Sequence, residues 1–219
     1  MNHRIFVFSL VAIFFLVSRA AQSQLISTTL DETSEPPLSF ELTLDGDVVT
    51  LQDGVPVKLP RNYERPTVKL TVQPYRIFTF QGISFEYPSG FGFEADVDEE
   101  HYKNWTLSGN DFKIMYFVLE GQLPTREFLE NMAQQFGKEN CQIADDRSSI
   151  ILEDRRLLGS TLHATLAGQR IRIDAYAVPI NQTETRLLVF QDRVRESGLR
   201  TTEGQATLDV MRSSFKFLD

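Results

Sequence analysis

The chain is poor in the residues that most often carry chemistry or cross-links. It has one cysteine, Cys141, one tryptophan and three histidines in 219 residues. A single cysteine permits no internal disulfide framework, so the fold must be held by its apolar core alone. Basic residues are also scarce, 22 Lys+Arg against 30 Asp+Glu, a formal net charge of −8. An acidic surface repels phosphate backbones and anionic lipid, which excludes nucleic acid as an expected partner. After residue 17 no apolar run approaches the ~20 residues needed to cross a bilayer. There is no Gly-x-Ser-x-Gly elbow and no metal-ligand spacing, so neither a cofactor nor a metal is expected.

What is present begins with the N-terminus. His3 and Arg4 precede an apolar run from Ile5 to Val17 that is interrupted only by Ser9, and small residues follow at Ser18 and Ala20. This pattern is that of a signal peptide over residues 1–20, cleaved after Ala20. The alternative is a membrane anchor, for which the run is short. No cysteine follows it, so there is no thiol for an N-terminal lipid. Loss of Arg4 and Arg19 with the signal makes the mature chain two charges more negative. The expected location is secreted or periplasmic, with no stable membrane insertion after cleavage.

Residues 21–37 are rich in Ser, Thr and acids and end in Pro36-Pro37, the composition of a flexible linker. Residues 38–73 read as a small β-hairpin segment: Leu38–Leu44, Val48–Leu51, Val55–Leu59 and Val68–Val72 alternate apolar and polar, with Asp45-Gly46 and Asp53-Gly54 as turns. Residues 74–219 read as one α+β domain. Strands are expected at Phe78–Phe80, Ile83–Tyr87, Trp105–Leu107, Phe112–Leu119, Leu157–Ala167, Gln169–Val178 and Thr185–Gln191, with a less defined stretch over Cys141–Leu152. Phe112–Leu119 is apolar on both faces in its second half, as in a central strand. Helical spacing places one helix at Pro124–Phe136, closed by Gly137. A second is placed at Glu203–Ser213, after a Thr202-x-x-Gln205 capping box, with Ala206, Val210 and Met211 inward. The fold expected is an antiparallel sheet with helices packed on its faces.

The order of these elements resembles the PsbP/Mog1-like superfamily. It has a strand ending in Phe85-Glu-Tyr87-Pro88, a hairpin, the Phe128–Phe136 helix, long strands around Gly168, and a C-terminal helix running into Ser214-Phe215-Lys-Phe217. The resemblance covers about residues 76–219. It implies an antiparallel sheet with helices on its faces, and a chain that acts by binding or assembly. No residue of a known site carries over.

Four residues form the candidate ligand site. His163 lies on the polar face of its strand with Thr161 and Thr165, and a tight turn at Gly168 brings it opposite Arg172 or Asp174, with Tyr176 on the same face. The plainer reading of that face is a solvated or helix-covered one with ordinary cross-strand pairs. The acidic run Glu94, Asp96, Asp98, Glu99 and Glu100 lacks the glycine and distal glutamate of a calcium loop and reads as a solvated turn. Cys141 has no histidine near it and reads as a small, partly buried residue. Asn104 and Asn181 head glycosylation triplets that matter only in a eukaryotic secretory pathway. The expected function is that of an exported, non-enzymatic module binding a protein or small ligand. The alternatives are a secreted hydrolase using His163 or the acidic run, and an assembly factor for an envelope complex. An enzyme should show a deep pocket with perturbed acids; an interaction protein should show an exposed apolar patch or an open sheet edge.

Overall fold

The computed structural model describes residues 31–98, 101–179, 183–195 and 197–218. The expected signal peptide and most of the expected linker lie outside them, as do Glu99, Glu100 and Asn181. Among the described residues no helix is long and apolar enough to cross a membrane.

Residues 38–72 form a three-stranded antiparallel sheet. Strands β1 (Ser39–Leu44) and β2 (Asp47–Gln52) are joined at Asp45-Gly46, both at positive φ, and β3 (Val68–Val72) pairs with the other side of β1. A left-handed Asp-Gly pair suits the twist of a two-residue hairpin. Val55–Leu59 is not a strand, contrary to expectation. Pro56 within that stretch and Pro60 directly after it donate no ladder hydrogen bond, and its three apolar side chains are exposed. The second Asp-Gly therefore opens a long loop, and β3 returns to β1.

The main body is built on an eight-stranded antiparallel sheet. Its strands are β6 (Gly92–Asp98), β7 (Tyr102–Ser108), β8 (Phe112–Glu120), β9 (Cys141–Ile143), β10 (Ser148–Leu152), β11 (Arg155–Leu166), β12 (Gln169–Ala177) and β13 (Glu184–Arg193). The order is β10-β11-β12-β13-β8-β7-β6, with β9 also on β11. As its two-sided apolar run implies, β8 is internal, flanked by β13 and β7. The acidic run corrects the sequence reading. Glu94, Asp96 and Asp98 are not a turn but the outward row of β6, alternating with Phe93, Ala95 and Val97, which pack on the core. The period of two was present; the density of carboxylates hid it.

A smaller antiparallel sheet, β14-β5-β4, faces this one: β4 (Tyr75–Phe80), β5 (Ile83–Pro88) and β14 (Lys216–Phe217). The core between the two sheets is aromatic. Phe80 stacks on Trp105 at 5.3 Å and Phe78 on Phe85 at 4.9 Å, with Tyr116, Phe112 and Phe190 behind them. Helix α1 (Thr125–Phe136) covers the opposite face of the large sheet, where Leu129 and Ala133 meet Leu162, Ile173 and Val189. Helix α2 (Thr202–Ser214) leans chiefly on β5. The fold is thus α+β and dominated by antiparallel sheet. The expected single sheet with helices on its faces is two packed sheets, with α1 alone lying flat on the large one. Met211 points inward as expected, but the rest of the inward row of α2 is Gly204, Thr207 and Leu208, not Ala206 and Val210. A threonine and a glycine in the buried stripe masked its phase.

The last part of the expected linker is bound to this body. The Trp105 Nε1–H donates to the Glu32 carbonyl at 2.6 Å, and Lys103 Nζ donates to Glu32 Oε2 at 2.5 Å. Gln81 also bonds the Glu32 carboxylate. Arg76, only 10% exposed, pairs with Glu35 and donates to the Pro36 carbonyl at 3.2 Å. Acids that read as solvating in a polar linker are here the counter-ions of two cations on the body.

Candidate functional site

The four residues singled out from sequence share one face of the β11–β12 hairpin, but not one environment. The turn is Ala167-Gly168, and the register sets His163 opposite Arg172 and Thr161 opposite Asp174. His163 is exposed, and among the described residues its imidazole has no hydrogen bond or ion pair. Arg172 is 32% exposed, and Asp174 is fully buried. Tyr176 is buried in the aromatic core beside Phe190. Burial raises its pKa, the Asp174 charge adding to the effect. The face that reads as uniformly polar is therefore solvated near the turn and closed over further along.

What closes it is the chain entering α2. Asp174 accepts from Thr161 Oγ1 at 2.5 Å, from Arg172 Nε at 3.1 and 3.0 Å, and from Arg200. Asp192, also fully buried, accepts from the Thr201 N–H at 3.3 Å and from Thr201 Oγ1 at 2.7 Å, with Arg200 Nη1 3.5 Å away. Thr201 Oγ1 in turn accepts from the Gly204 N–H at 3.0 Å. Thr201 is thus the cap of α2, one residue before the expected Thr202. Its position is set by Asp192, and Thr202 Oγ1 instead accepts from Arg195 at 2.7 Å. Glu203 reaches the loop before β8. Burial opposes its ionisation, but the N–H groups of Asp111, Asn110 and Phe112 outweigh that and hold its pKa below the usual value. Asp192, Arg200 and Thr201 were not singled out from sequence. One signal was available: Asp192 continues the inward row of Leu188 and Phe190, a carboxylate at a core position.

Gly204 is part of this arrangement. A Cβ there would lie 2.6 Å from Asp192 Oδ2 and 2.9 Å from a Phe112 ring carbon. Gly to Ala inside a helix ordinarily stabilises by about 0.5–1 kcal/mol. Here the sign should reverse: Gly204→Ala is expected to lower the urea midpoint by displacing the carboxylate that positions Thr201. An unchanged or raised midpoint would show that Asp192 can move without loss.

A pocket of about 660 Å³ opens beside this network, lined by Arg172, Arg195, Arg200, Thr202, Gln205 and Asp209 among others. Its guanidinium groups are engaged: Arg172 and Arg200 face buried carboxylates, Arg195 holds Thr202, and Asp209 supplies a further negative charge on the rim. A second pocket, about 710 Å³, lies towards the other end of the hairpin, where the Thr125 and Ser160 hydroxyls are 3.0 Å apart between Asp145, Asp146, Arg126 and Arg147. Neither brings His163 to a carboxylate or hydroxyl. Cys141 is half-buried against the α1 side of the core, and burial, then Glu139, raises its thiol pKa, away from the reactive thiolate. Asn104 is half-buried on β7 between β6 and β8.

Exposed apolar side chains also lie on the sheet of residues 38–72. Phe40, Leu42, Leu44, Val49, Leu51, Val68, Leu70 and Val72 occupy one face, because β1–β2 and β1–β3 pair them row by row. Of these only Leu44 is buried; Val68, Leu70 and Val72 are 58%, 58% and 51% exposed. β3 is also an edge. The Asp45 N–H donates to the Thr67 carbonyl and the Gln73 N–H to the Ser39 carbonyl. In an antiparallel ladder these pairs alternate, so Thr67, Lys69, Thr71 and Gln73 bond to β1. The N–H and C=O groups of Val68, Leu70 and Val72 point outward, and among the described residues no strand pairs with them.

No family model matches the chain, and no curated protein matches it. Among solved structures, it is similar to the solution structure of cyanobacterial PsbP (CyanoP) from Synechocystis sp. PCC 6803, with 11% identity, a TM-score of 0.44, and coverage of 66% of this chain and 92% of that one. That likeness concerns the fold alone and says nothing of ligand or partner.

Proposed function

We propose that the chain is an exported, non-enzymatic interaction module, and that it engages another protein through the sheet of residues 38–72. The observation that supports this most directly is the coincidence on β3 of an unpaired edge with three exposed apolar side chains. Soluble chains ordinarily blunt such edges, because they template pairing with another chain; β3 carries a single charge, Lys69, to do so. A three-stranded sheet also needs its apolar face covered to be stable. The arginine network serves the body instead, by fastening α2.

The test is affinity capture from the native source with the chain from Ala21 onward. Val68→Thr/Leu70→Thr/Val72→Thr keeps the strand length and β propensity and removes the apolar row. Captured protein should be lost with this variant and retained with His163→Ala. Retention with the triple variant and loss with His163→Ala would move the function to the hairpin face.

A further inference from the structure

The partner can be specified further if the sheet of residues 38–72 is the interaction surface, as proposed above. We infer that β3 pairs antiparallel with β3 of a second copy of this chain, joining the two three-stranded sheets into one of six strands.

Three observations carry this. The first is the sequence of the strand, Val68-Lys69-Leu70-Thr71-Val72, read with its hydrogen-bond phase. A two-fold axis through Leu70 sets Leu70 against the second copy's Leu70 and Val68 against its Val72. These are the residues whose N–H and C=O groups point outward, so the register that matches side chains also completes the ladder. A one-residue slip would lose both matches at once.

The second is charge. With the axis at Leu70, Lys69 meets the second copy's Thr71 and no cation meets a cation. Glu41 is the β1 residue paired with Thr71. Each Lys69 therefore stands in line, one strand beyond that Thr71, with the second copy's Glu41. The chain as a whole is strongly acidic, which opposes self-association. Residues 38–72 are almost balanced, four basic side chains against five acidic ones, so the contact lies where copies repel least.

The third is the distribution of exposure. Phe40 and Leu42, on the central strand, are half-buried, whereas the β3 residues on the same face are more than half exposed. β3 has a neighbour on one side only. Pairing makes it internal and covers the flanks of the three side chains that are most open.

Sedimentation of the chain from Ala21 onward should give the mass of two copies. Leu70→Glu places two carboxylates face to face across the axis and should return the mass to one copy, with far-UV circular dichroism and melting temperature of the body unchanged. A second variant does not depend on tolerating a charge. The Cα separation of a hydrogen-bonded antiparallel pair, ~5.5 Å, is within disulfide range. Leu70→Cys/Cys141→Ser should therefore form a covalent dimer on mild oxidation, and Lys69→Cys/Cys141→Ser should not. A monomer at all concentrations, or a dimer indifferent to Leu70→Glu and without the Leu70 cross-link, overturns the inference. In either of those cases the capture experiment separates the two claims. If Leu70→Glu abolishes capture, the surface stands and its partner is another protein; if capture is unaffected, the surface itself is wrong.

Discussion

Arg200→Ala is expected to destabilise the protein by about 3–5 kcal/mol, the cost of removing one member of a buried ion pair and leaving its partner charged. Arg200 is 17% exposed and faces two carboxylates that are fully buried. Asp174 keeps Arg172 and Thr161 when Arg200 is removed. Asp192 keeps only the Thr201 N–H and hydroxyl, and no cation. The loss should therefore be concentrated at Asp192, and Arg200→Ala/Asp192→Asn should recover part of it in a double-mutant cycle. Urea unfolding of the two single variants and the double variant measures this. A loss below about 1 kcal/mol in Arg200→Ala would mean that the pair behaves as a surface ion pair and that the α2 entrance is open to water.

Removal of residues 31–36 is the second change with a large expected effect. A chain beginning at Pro37 loses the acceptor of the Trp105 indole N–H, the counter-ion of Lys103 and both partners of Arg76. Trp105 is fully buried and is the only tryptophan, so the emission comes from the one site where this strap meets the aromatic core. Relative to a chain beginning at Asp31, the emission should shift to the red and stability should fall by about 3 kcal/mol, since hydrogen bonds to charged groups contribute about 1.5–3 kcal/mol each and the side chains partly regain water. Glu32→Gln should show a fraction of this, because its carbonyl still accepts from Trp105. Identical emission from the two chains would show that Trp105 is shielded without the strap.

The elements with a clear period were legible in the sequence. The β11–β12 register around Gly168, the internal position of β8, the Asp45-Gly46 hairpin and the extents of both helices to within a residue or two follow from local alternation, local spacing and turn residues, all of which act between near neighbours. Where polar residues occupied inward positions the reading slipped. Carboxylates obscured β6, and Thr207 and Gly204 turned the apparent face of α2. Prolines made Val55–Leu59 a loop in spite of its alternation, and β3 then paired with β1, a partner chosen by edge availability.

The candidate site divides along the same line. That His163, Arg172, Asp174 and Tyr176 share a strand face is a matter of period two, and the sequence determined it alone, as it did the acidic balance and the want of disulfides. Which of the four meets water was decided by the tertiary structure, because exposure depends on what arrives from elsewhere in the chain: Arg200, twenty-six residues beyond Asp174, brings α2 over one end of the face and leaves His163 outside it. The open edge of β3 was decided in the same way. An apolar strand looks alike in sequence whether it has one neighbour or two, and only the closing of the other sheets, which left β3 on the outside, made it a surface.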